Sequence, residues 1–264
     1  FFKQKTAYEI LKDNGMKVFI GTVTTGACLS VVSQTKADNM FQITPSASAA
    51  KVIANDNCFQ VCFTDPNQGT ASADYIASKG LATKVAVIYN SSDAYSSGIY
   101  DNFKAEAAAK GLDLVASEAF TGDSKQDFSS QLSKIKASGA ELIFLPIYYQ
   151  EASLILSQAK NAGITAKFFG CDGLDGLLNI ENFDKSLAEN VMLLTPFAAN
   201  ATDETTKKFV AAYNAKYDPS TLNQFAADAY DAVYIVKAAA EKAGVTGDMS
   251  VSDICNALKG AMTE

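Results

Sequence analysis

Three short apolar runs in this chain each end in a cluster of hydroxyls or a carboxylate. Val18-Phe19-Ile20-Gly21 leads into Thr22, Thr24, Thr25 and Gly26, and Phe41-Gln42-Ile43-Thr44-Pro45 leads into Ser46-Ala47-Ser48. Phe168-Phe169-Gly170-Cys171 leads into Asp172-Gly173. Thr24 and Thr25 precede a helical segment, where hydroxyls and the first free N–H groups suit an anion, aided by the helix dipole. Ser46 and Ser48 follow Pro45 in a tight loop, where a backbone N–H, a carbonyl and a hydroxyl can converge on one group. Asp172, flanked by Gly170 and Gly173, offers negative charge to an ammonium. Taken singly, each Thr or Ser is an ordinary N-cap and the Asp an ordinary turn residue. Together they make a donor set and an acceptor suited to a small zwitterion, placed where open α/β sheets bind ligands, beyond the carboxyl ends of strands.

What the chain lacks narrows the chemistry further. Its 264 residues contain no His and no Arg, so all 22 basic residues are Lys. Without His there is no Ser-His or Cys-His nucleophile pair and no imidazole metal ligand. Tyr148, Asp172 and Lys167 could serve acid–base roles and Ser96-Ser97-Gly98 could form a nucleophile loop, but no base partner for a Ser is evident, so an enzyme is not expected. Asp172-x-x-Asp175-Gly176 has too few regularly spaced oxygens for a calcium loop, so no metal is expected, nor any cofactor. Without Arg a carboxylate cannot be gripped by a guanidinium fork and must be held by hydroxyls, backbone N–H groups, a helix end or Lys. Net charge is -7 with no basic stripe, which argues against nucleic acid. The five cysteines (Cys28, Cys58, Cys62, Cys171, Cys255) include no CxxC pair. Cys58 and Cys62 on one extended strand would lie about 13 Å apart, too far to bridge, so all five read as small buried hydrophobes.

With 48% hydrophobic residues the chain can bury a sizeable core. No apolar run reaches the roughly 18 residues of a membrane span, and the first residues lack a signal-peptide pattern. Strands are predicted near 17–21, 41–43, 57–62, 84–89, 113–119, 141–146, 167–170 and 190–195. Helices are predicted near 26–38, 69–79, 97–110, 125–138, 150–161, 203–217, 223–243 and 250–262. This alternation argues an α/β fold with parallel sheets. Lys84-Val85-Ala86-Val87-Ile88-Tyr89 and Glu141-Leu142-Ile143-Phe144-Leu145-Pro146 read as strands covered on both faces. A Pro/Asn/Gly cluster at Phe63–Gly69 and the stretch Leu194–Ala198 around Pro196 are two candidate crossings between lobes, with one continuous sheet as the alternative. The first clear element is a helix running into the strand at 17–21. Residues Lys3–Ile10 also read as a translated frame of a sequencing-library adapter, so 1–10 is a candidate non-native leader and the natural sequence is expected to start near Leu11. The alternative is an ordinary amphipathic helix with Tyr8 and Leu11 inward.

On these residues the chain resembles the branched-chain amino acid (leucine/isoleucine/valine) binding-protein family, the type I periplasmic solute-binding proteins of ABC transporters. The resemblance covers residues 11–264. It runs through Ile20-Gly21-x-x-Thr24-Thr25, Ile43-Thr44-Pro45-Ser46-Ala47-Ser48, Phe63-Thr64-Asp65-Pro66-x-Gln68-Gly69, Phe128-Ser129-x-Gln131-Leu132, Tyr148-Tyr149-x-Glu151, Gly170-Cys171-Asp172-Gly173 and Tyr230-Asp231-Ala232-Val233-Tyr234. No single motif is specific; seven in family order and spacing are.

The resemblance implies a two-lobed α/β Venus flytrap, each lobe a mainly parallel sheet flanked by helices, with 11–65 and 197–264 in lobe 1 and 66–196 in lobe 2. It implies capture of an apolar or branched-chain amino acid and delivery to the permease subunits of an ABC importer, with no chemistry, by an extracytoplasmic monomer. The export signal is expected outside this sequence, and the family's first strand-helix-strand unit and last strands are expected to be missing from it. Thr25 and Ser48 are implied as hydroxyl ligands of the α-carboxylate with the Ser46 backbone beside them, and Asp172 and Tyr95 as partners of the α-ammonium. Tyr148 is implied to reach the carboxylate and Phe225 to line the side-chain pocket. A sensory or regulatory ligand-binding domain on the same fold is the alternative, and a sugar binder, which would want more Asp, Asn and Arg, is a third.

Overall fold

The computed structural model describes residues 6–263. From the amino end Thr6 and Glu9 form a reciprocal capping box on Ala7–Asp13 (α1), which is followed by Val18–Ile20 (β1), Thr25–Leu29 (α2), Val32–Ala37 (α3), Phe41–Thr44 (β2) and Cys58–Gln60 (β3). Then come Asp65–Ser78 (α4), Lys84–Asn90 (β4), Ala94–Ala109 (α5), Asp113–Phe120 (β5), Ser129–Ser138 (α6), Leu142–Leu145 (β6), Tyr149–Asn161 (α7), Lys167–Gly170 (β7) and Val191–Leu193 (β8). Glu204–Asn214 (α8), Gln224–Ala243 (α9) and Val251–Thr263 (α10) complete the chain. All eight expected strands form. The segment expected as one helix over 26–38 is two short helices. The Ser30 hydroxyl donates to Ala27 O where the first ends, and the β-branched pair Val31-Val32 starts the second.

The chain divides into two units, one of Phe1–Cys62 with Phe225–Glu264 and one of Phe63–Gln224. In the first unit β1, β2 and β3 form a parallel sheet in that order. All of β2 is buried, and its side chains alternate between two environments. Phe41 and Ile43 join Ala232, Ala239, Ile254, Cys255 and Leu258 of α9 and α10 in an apolar layer, whereas Gln42 and Thr44 turn toward the α2–α3 side. In α1, Tyr8 is buried and bonds Asp38, while Leu11, read as inward in the helical alternative, is 49% exposed. Residues 1–5 of the candidate leader lie outside the described residues.

The second unit holds a five-stranded parallel sheet in the order β5-β4-β6-β7-β8. Val85, Val87, Leu142 and Phe144 face α4 and α5, whose Ile76, Tyr95, Ile99 and Phe103 fill that layer. Ala86, Ile88, Ile143 and Leu145 face α6 and α7 with Phe128, Leu132, Ile135 and Ile155. Helices α4 and α5 pack closely enough that a Cβ on Gly69 would lie 2.5 Å from Ile99 O. Because β5 and β6 flank β4 on opposite sides, the strand order reverses at β4, and in open α/β sheets such a reversal is where ligands bind beyond the carboxyl ends of the strands. The second crossing between units falls at 224/225, where the sequence expectation put it at 196/197. Segment 195–224 stays with the second unit because the Thr195 hydroxyl donates to Gln224 Oε1 (3.2 Å), the Gln224 N–H donates to Asp175 (2.7 Å) and Phe197 packs edge-on against Phe209.

Candidate functional site

In the first unit the hydroxyl cluster sits on the loops that leave β1 and β2. Thr25 is the first residue of α2, 1% exposed, and its Oγ1 accepts the N–H groups of Ser48 (3.2 Å) and Ala49 (3.3 Å). With both lone pairs engaged, the hydroxyl has only its proton to offer, which makes it a donor aimed away from the loop. Ser48 Oγ is buried with no hydrogen-bond partner among the described residues. Ser46 Oγ donates to Asp228 Oδ2 of α9 at 3.4 Å. Thr24 stands at the N-cap of α2 without a side-chain cap bond, so its ordinary role as a cap is not taken. Because α2 has only five residues, its dipole is small, and an anion here would rest on hydroxyl and amide donors more than on the helix.

Gln42 is one of two residues that sequence reasoning missed in this unit. Fully buried in the middle of β2, its amide donates to Gly21 O (2.9 Å) and Cys28 Sγ (3.3 Å) and its Oε1 accepts from the Thr35 hydroxyl (2.7 Å). It thereby ties the β1–α2 loop to the strand, and Thr44, accepting Ala47 N–H at 3.0 Å and donating to Thr22 O, does the same for the β2 loop. A polar residue centred in an otherwise apolar strand was the available signal. Phe225, second residue of α9 and half-buried, lies one turn before Asp228, so it belongs to the helical turns beside the Ser46 loop. Asp228 itself, 6% exposed, was not anticipated.

In the second unit the expected residues cluster at the carboxyl ends of β4, β6 and β7. Asp172 opens a short 3-10 turn after β7 and is 2% exposed. The Tyr95 hydroxyl donates to Asp172 Oδ1 at 2.6 Å and accepts Gly173 N–H at 2.9 Å. Tyr148, the N-cap of α7, stacks on Tyr95 with ring centres 4.7 Å apart. Tyr95 thus spends its proton on Asp172, and in this arrangement it orients the carboxylate. The turn is tight: a Cβ on Gly173 would lie 2.7 Å from both Ile147 O and Tyr95 Oη. Burial pushes the Asp172 carboxyl up to about 6. The Tyr95 hydroxyl, the Gln68 side chain and Gly173 N–H oppose that rise, and Asp175 adds to it. Burial and the neighbouring Asp172 hold the Tyr95 phenol well above its usual value. Every group that stabilises the Asp172 charge is neutral, so near neutral pH the site presents a dry carboxylate without a counter-ion, the complement of an ammonium.

The two clusters differ in kind: on the first unit hydroxyl and amide groups with Asp228 bonded to Ser46, on the second a carboxylate stabilised by neutral groups alone. All five cysteines are buried free thiols, with those of Cys28 and Cys58 sharing a hydrogen bond in the apolar layer beneath α2. Among the described residues no cluster of three His, Cys, Asp or Glu could hold a metal, and no helix is long and apolar enough to cross a membrane.

Two α/β units joined by crossings of one chain, with polar strand-end loops in each, define a solute-binding architecture. The chain belongs to the family described as periplasmic binding protein, whose sequence profile matches residues 3–263. It is 33% identical over 92% of its length to Leu/Ile/Val-binding protein homolog 3 of Brucella melitensis, and covers 64% of that protein. It is 27% identical over 93% of its length to a leucine-, isoleucine-, valine-, threonine- and alanine-binding protein of Pseudomonas aeruginosa, covering 65% of it. The chain thus spans a little under two thirds of these curated relatives. Among solved structures it superposes on a leucine-binding protein of Thermotoga maritima with a TM-score of 0.84 at 26% identity, over 96% of this chain and 71% of that one. A branched-chain amino acid transporter substrate-binding protein of Streptococcus pneumoniae, in complex with isoleucine, gives 0.83 at 28% identity, over 94% and 69%.

Proposed function

We propose that this chain is the solute-binding component of an amino-acid importer of the ABC type, working outside the cytoplasmic membrane and taking leucine, isoleucine or valine. The observation that carries the reading is Asp172: a buried carboxylate whose charge is met only by neutral groups and which an α-ammonium would complete. Thr25 and Ser48, with the Ser46 backbone, take the α-carboxylate, Tyr148 adds a hydroxyl, Tyr95 orients Asp172, and Phe225 contributes to the side-chain pocket. The names of the relatives support the ligand class. The permease partner follows from the importer reading, as does binding and release without chemistry.

The magnitudes suffice without Arg. Hydrogen bonds to charged groups contribute roughly 1.5–3 kcal/mol each and micromolar affinity needs about 8 kcal/mol, so five or six such bonds cover it after ordering losses. Thermal-shift screening against the twenty amino acids, followed by calorimetry, tests the reading. A ligand that binds only the folded state adds about 2.7 kcal/mol of stability at a hundred times its Kd. Leucine, isoleucine or valine should raise the midpoint by several degrees; a midpoint unmoved by every amino acid would overturn the proposal.

A further inference from the structure

The loop that carries Asp172 is gripped by its backbone from two remote points of the chain. The Asp172 N–H donates to Gln68 Oε1 at 3.2 Å, and Asp172 O accepts from Gln224 Nε2 at 2.7 Å. The Gln224 N–H in turn donates to Asp175 Oδ2 at 2.7 Å, three residues further along the same loop. Both glutamines are fully buried. Gln68 lies in the first turn of α4, just after the chain enters this unit at Phe63, and Gln224 is the last residue before it leaves. A buried amide held only to fill space would be a poor choice, since each unpaired polar atom is costly. Gln68 Nε2 has no bond of good geometry among the described residues, although its carboxamide still favours the charged form of the neighbouring Asp172.

We propose that Gln68 and Gln224 are positioning residues for ligand capture, clamping the Asp172 loop by its backbone at the two crossings so that the carboxylate is presented to an ammonium. The inference rests on the amino-acid reading above. It goes further in linking the ammonium subsite to the crossing segments, so that strain in either segment reaches Asp172 through one hydrogen bond.

The titratable groups that act on Asp172 are Tyr95 on α5 and Cys171 and Asp175 on its own loop; behind them Tyr148 acts on Tyr95 and Asp65 of α4 on Cys171. None is a cation, so loss of the Gln68 amide leaves only the Tyr95 hydroxyl and Gly173 N–H to hold the charge. The test compares the chain with its Gln68→Met, Gln68→Glu and Gln224→Met variants. Leucine and its des-amino analogue 4-methylpentanoate are titrated by calorimetry from pH 4.5 to 8.5, and hydrogen exchange is followed at the Asp172 amide. The wild type should lose leucine affinity as the pH falls through about 6, where Asp172 takes up its proton. Gln68→Met should lose amide protection and move that acid limb upward by half a pH unit or more. Gln68→Glu retains the acceptor for Asp172 N–H but adds a charge, so it should keep amide protection and still move the limb. Gln224→Met should weaken leucine binding five- to fiftyfold and 4-methylpentanoate binding less than twofold. Equal losses for both probes, or a lowered melting point with unchanged leucine affinity and acid limb, would reduce the glutamines to packing and overturn the inference. A wild type that binds no amino acid overturns the functional reading instead, and this inference with it.

Discussion

Asp172→Asn should stabilise the ligand-free protein while abolishing much of its affinity, and the size of the gain follows from the site. The folded carboxyl titrates at about 6 against a usual 3.8, chiefly because it is buried. A carboxyl whose folded pKa is raised binds its proton more tightly in the folded state, so stability is full below about pH 4 and declines as the pH rises through about 6. A shift of about two units costs about 3 kcal/mol at pH 8, and only a few tenths of this is already lost at pH 4. Asn cannot ionise and keeps an oxygen for the Tyr95 hydroxyl, so the variant escapes that cost. The difference in unfolding free energy between variant and wild type should therefore change by about 2–3 kcal/mol in the variant's favour between pH 4 and pH 8. Asp175 and Asp93, also raised by burial, titrate in both proteins and largely cancel in the comparison. Urea unfolding followed by circular dichroism at the two pH values measures it. A difference that is the same at both would mean that Asp172 is not held in a costly ionised state and would refute its proposed role as partner of an ammonium.

The same variant should bind leucine roughly ten- to a hundredfold more weakly at pH 8 by calorimetry, the loss of one charge-assisted contact. Thr25→Val orphans the buried N–H groups of Ser48 and Ala49 at about 1–3 kcal/mol each and removes the proposed donor to a ligand carboxylate, whereas Thr25→Ser should restore both stability and affinity. Equal defects in the two would refute the hydroxyl's role. Gly173→Ala places a methyl 2.7 Å from Ile147 O, which cannot swing aside, so thermal unfolding should show a loss of about 1–3 kcal/mol and leucine binding should weaken as the loop shifts. Phe144→Ala, fully buried and stacked on Phe103 at 4.1 Å, should cost about 3–5 kcal/mol in urea without altering the acid limb of binding.

Strands were legible because a doubly covered strand is apolar on every residue and helices separate it from the next. Leu142-Ile143-Phe144-Leu145 could be assigned from composition alone, and even its two-layer split follows from alternation. The break between α2 and α3 was not legible: helical periodicity runs through Ser30-Val31, and what ends α2 is one local side-chain bond. The crossing at 224/225 was missed for a similar reason. The stretch at 194–198, with Pro196 directly after a strand, looks like a linker, but the contacts of Gln224 with Thr195 and Asp175 that keep the segment in place join residues 29 and 49 positions apart. Strand-end hydroxyls and the Asp172 turn were visible as types at junctions. Gln42 was hinted at only by its place in an apolar strand, and Gln68 and Gln224 were not visible, because a glutamine on a helix has no sequence signature for being buried and its meaning lies in which backbone groups it meets.

The absence of Arg makes sense once the hydroxyls are considered with their partners. A free Thr or Ser hydroxyl is both donor and acceptor and can turn its lone pairs toward an anion as easily as its proton. Thr25 has lost that choice, because two backbone N–H groups occupy its oxygen. Its proton is left for an acceptor, so the orientation that a guanidinium fork would have by covalent geometry is here imposed by the Ser48–Ala49 backbone. The loop that supplies those N–H groups is held in turn by Thr44 and the neighbouring β1–α2 loop by Gln42, both rooted in β2, the most buried strand of its unit. In the other unit Tyr95 is fixed in the same way, donating its hydroxyl proton to Asp172 and accepting a hydrogen bond from Gly173 N–H. On the proposed reading, the donor-only hydroxyl of Thr25 and the acceptor-only carboxylate of Asp172 favour a ligand that carries both signs of charge. An uncharged polyol of the same size would leave Asp172 without a cation and should bind at least a hundredfold more weakly than leucine at pH 8 by calorimetry; comparable affinity for the two would overturn the zwitterion assignment.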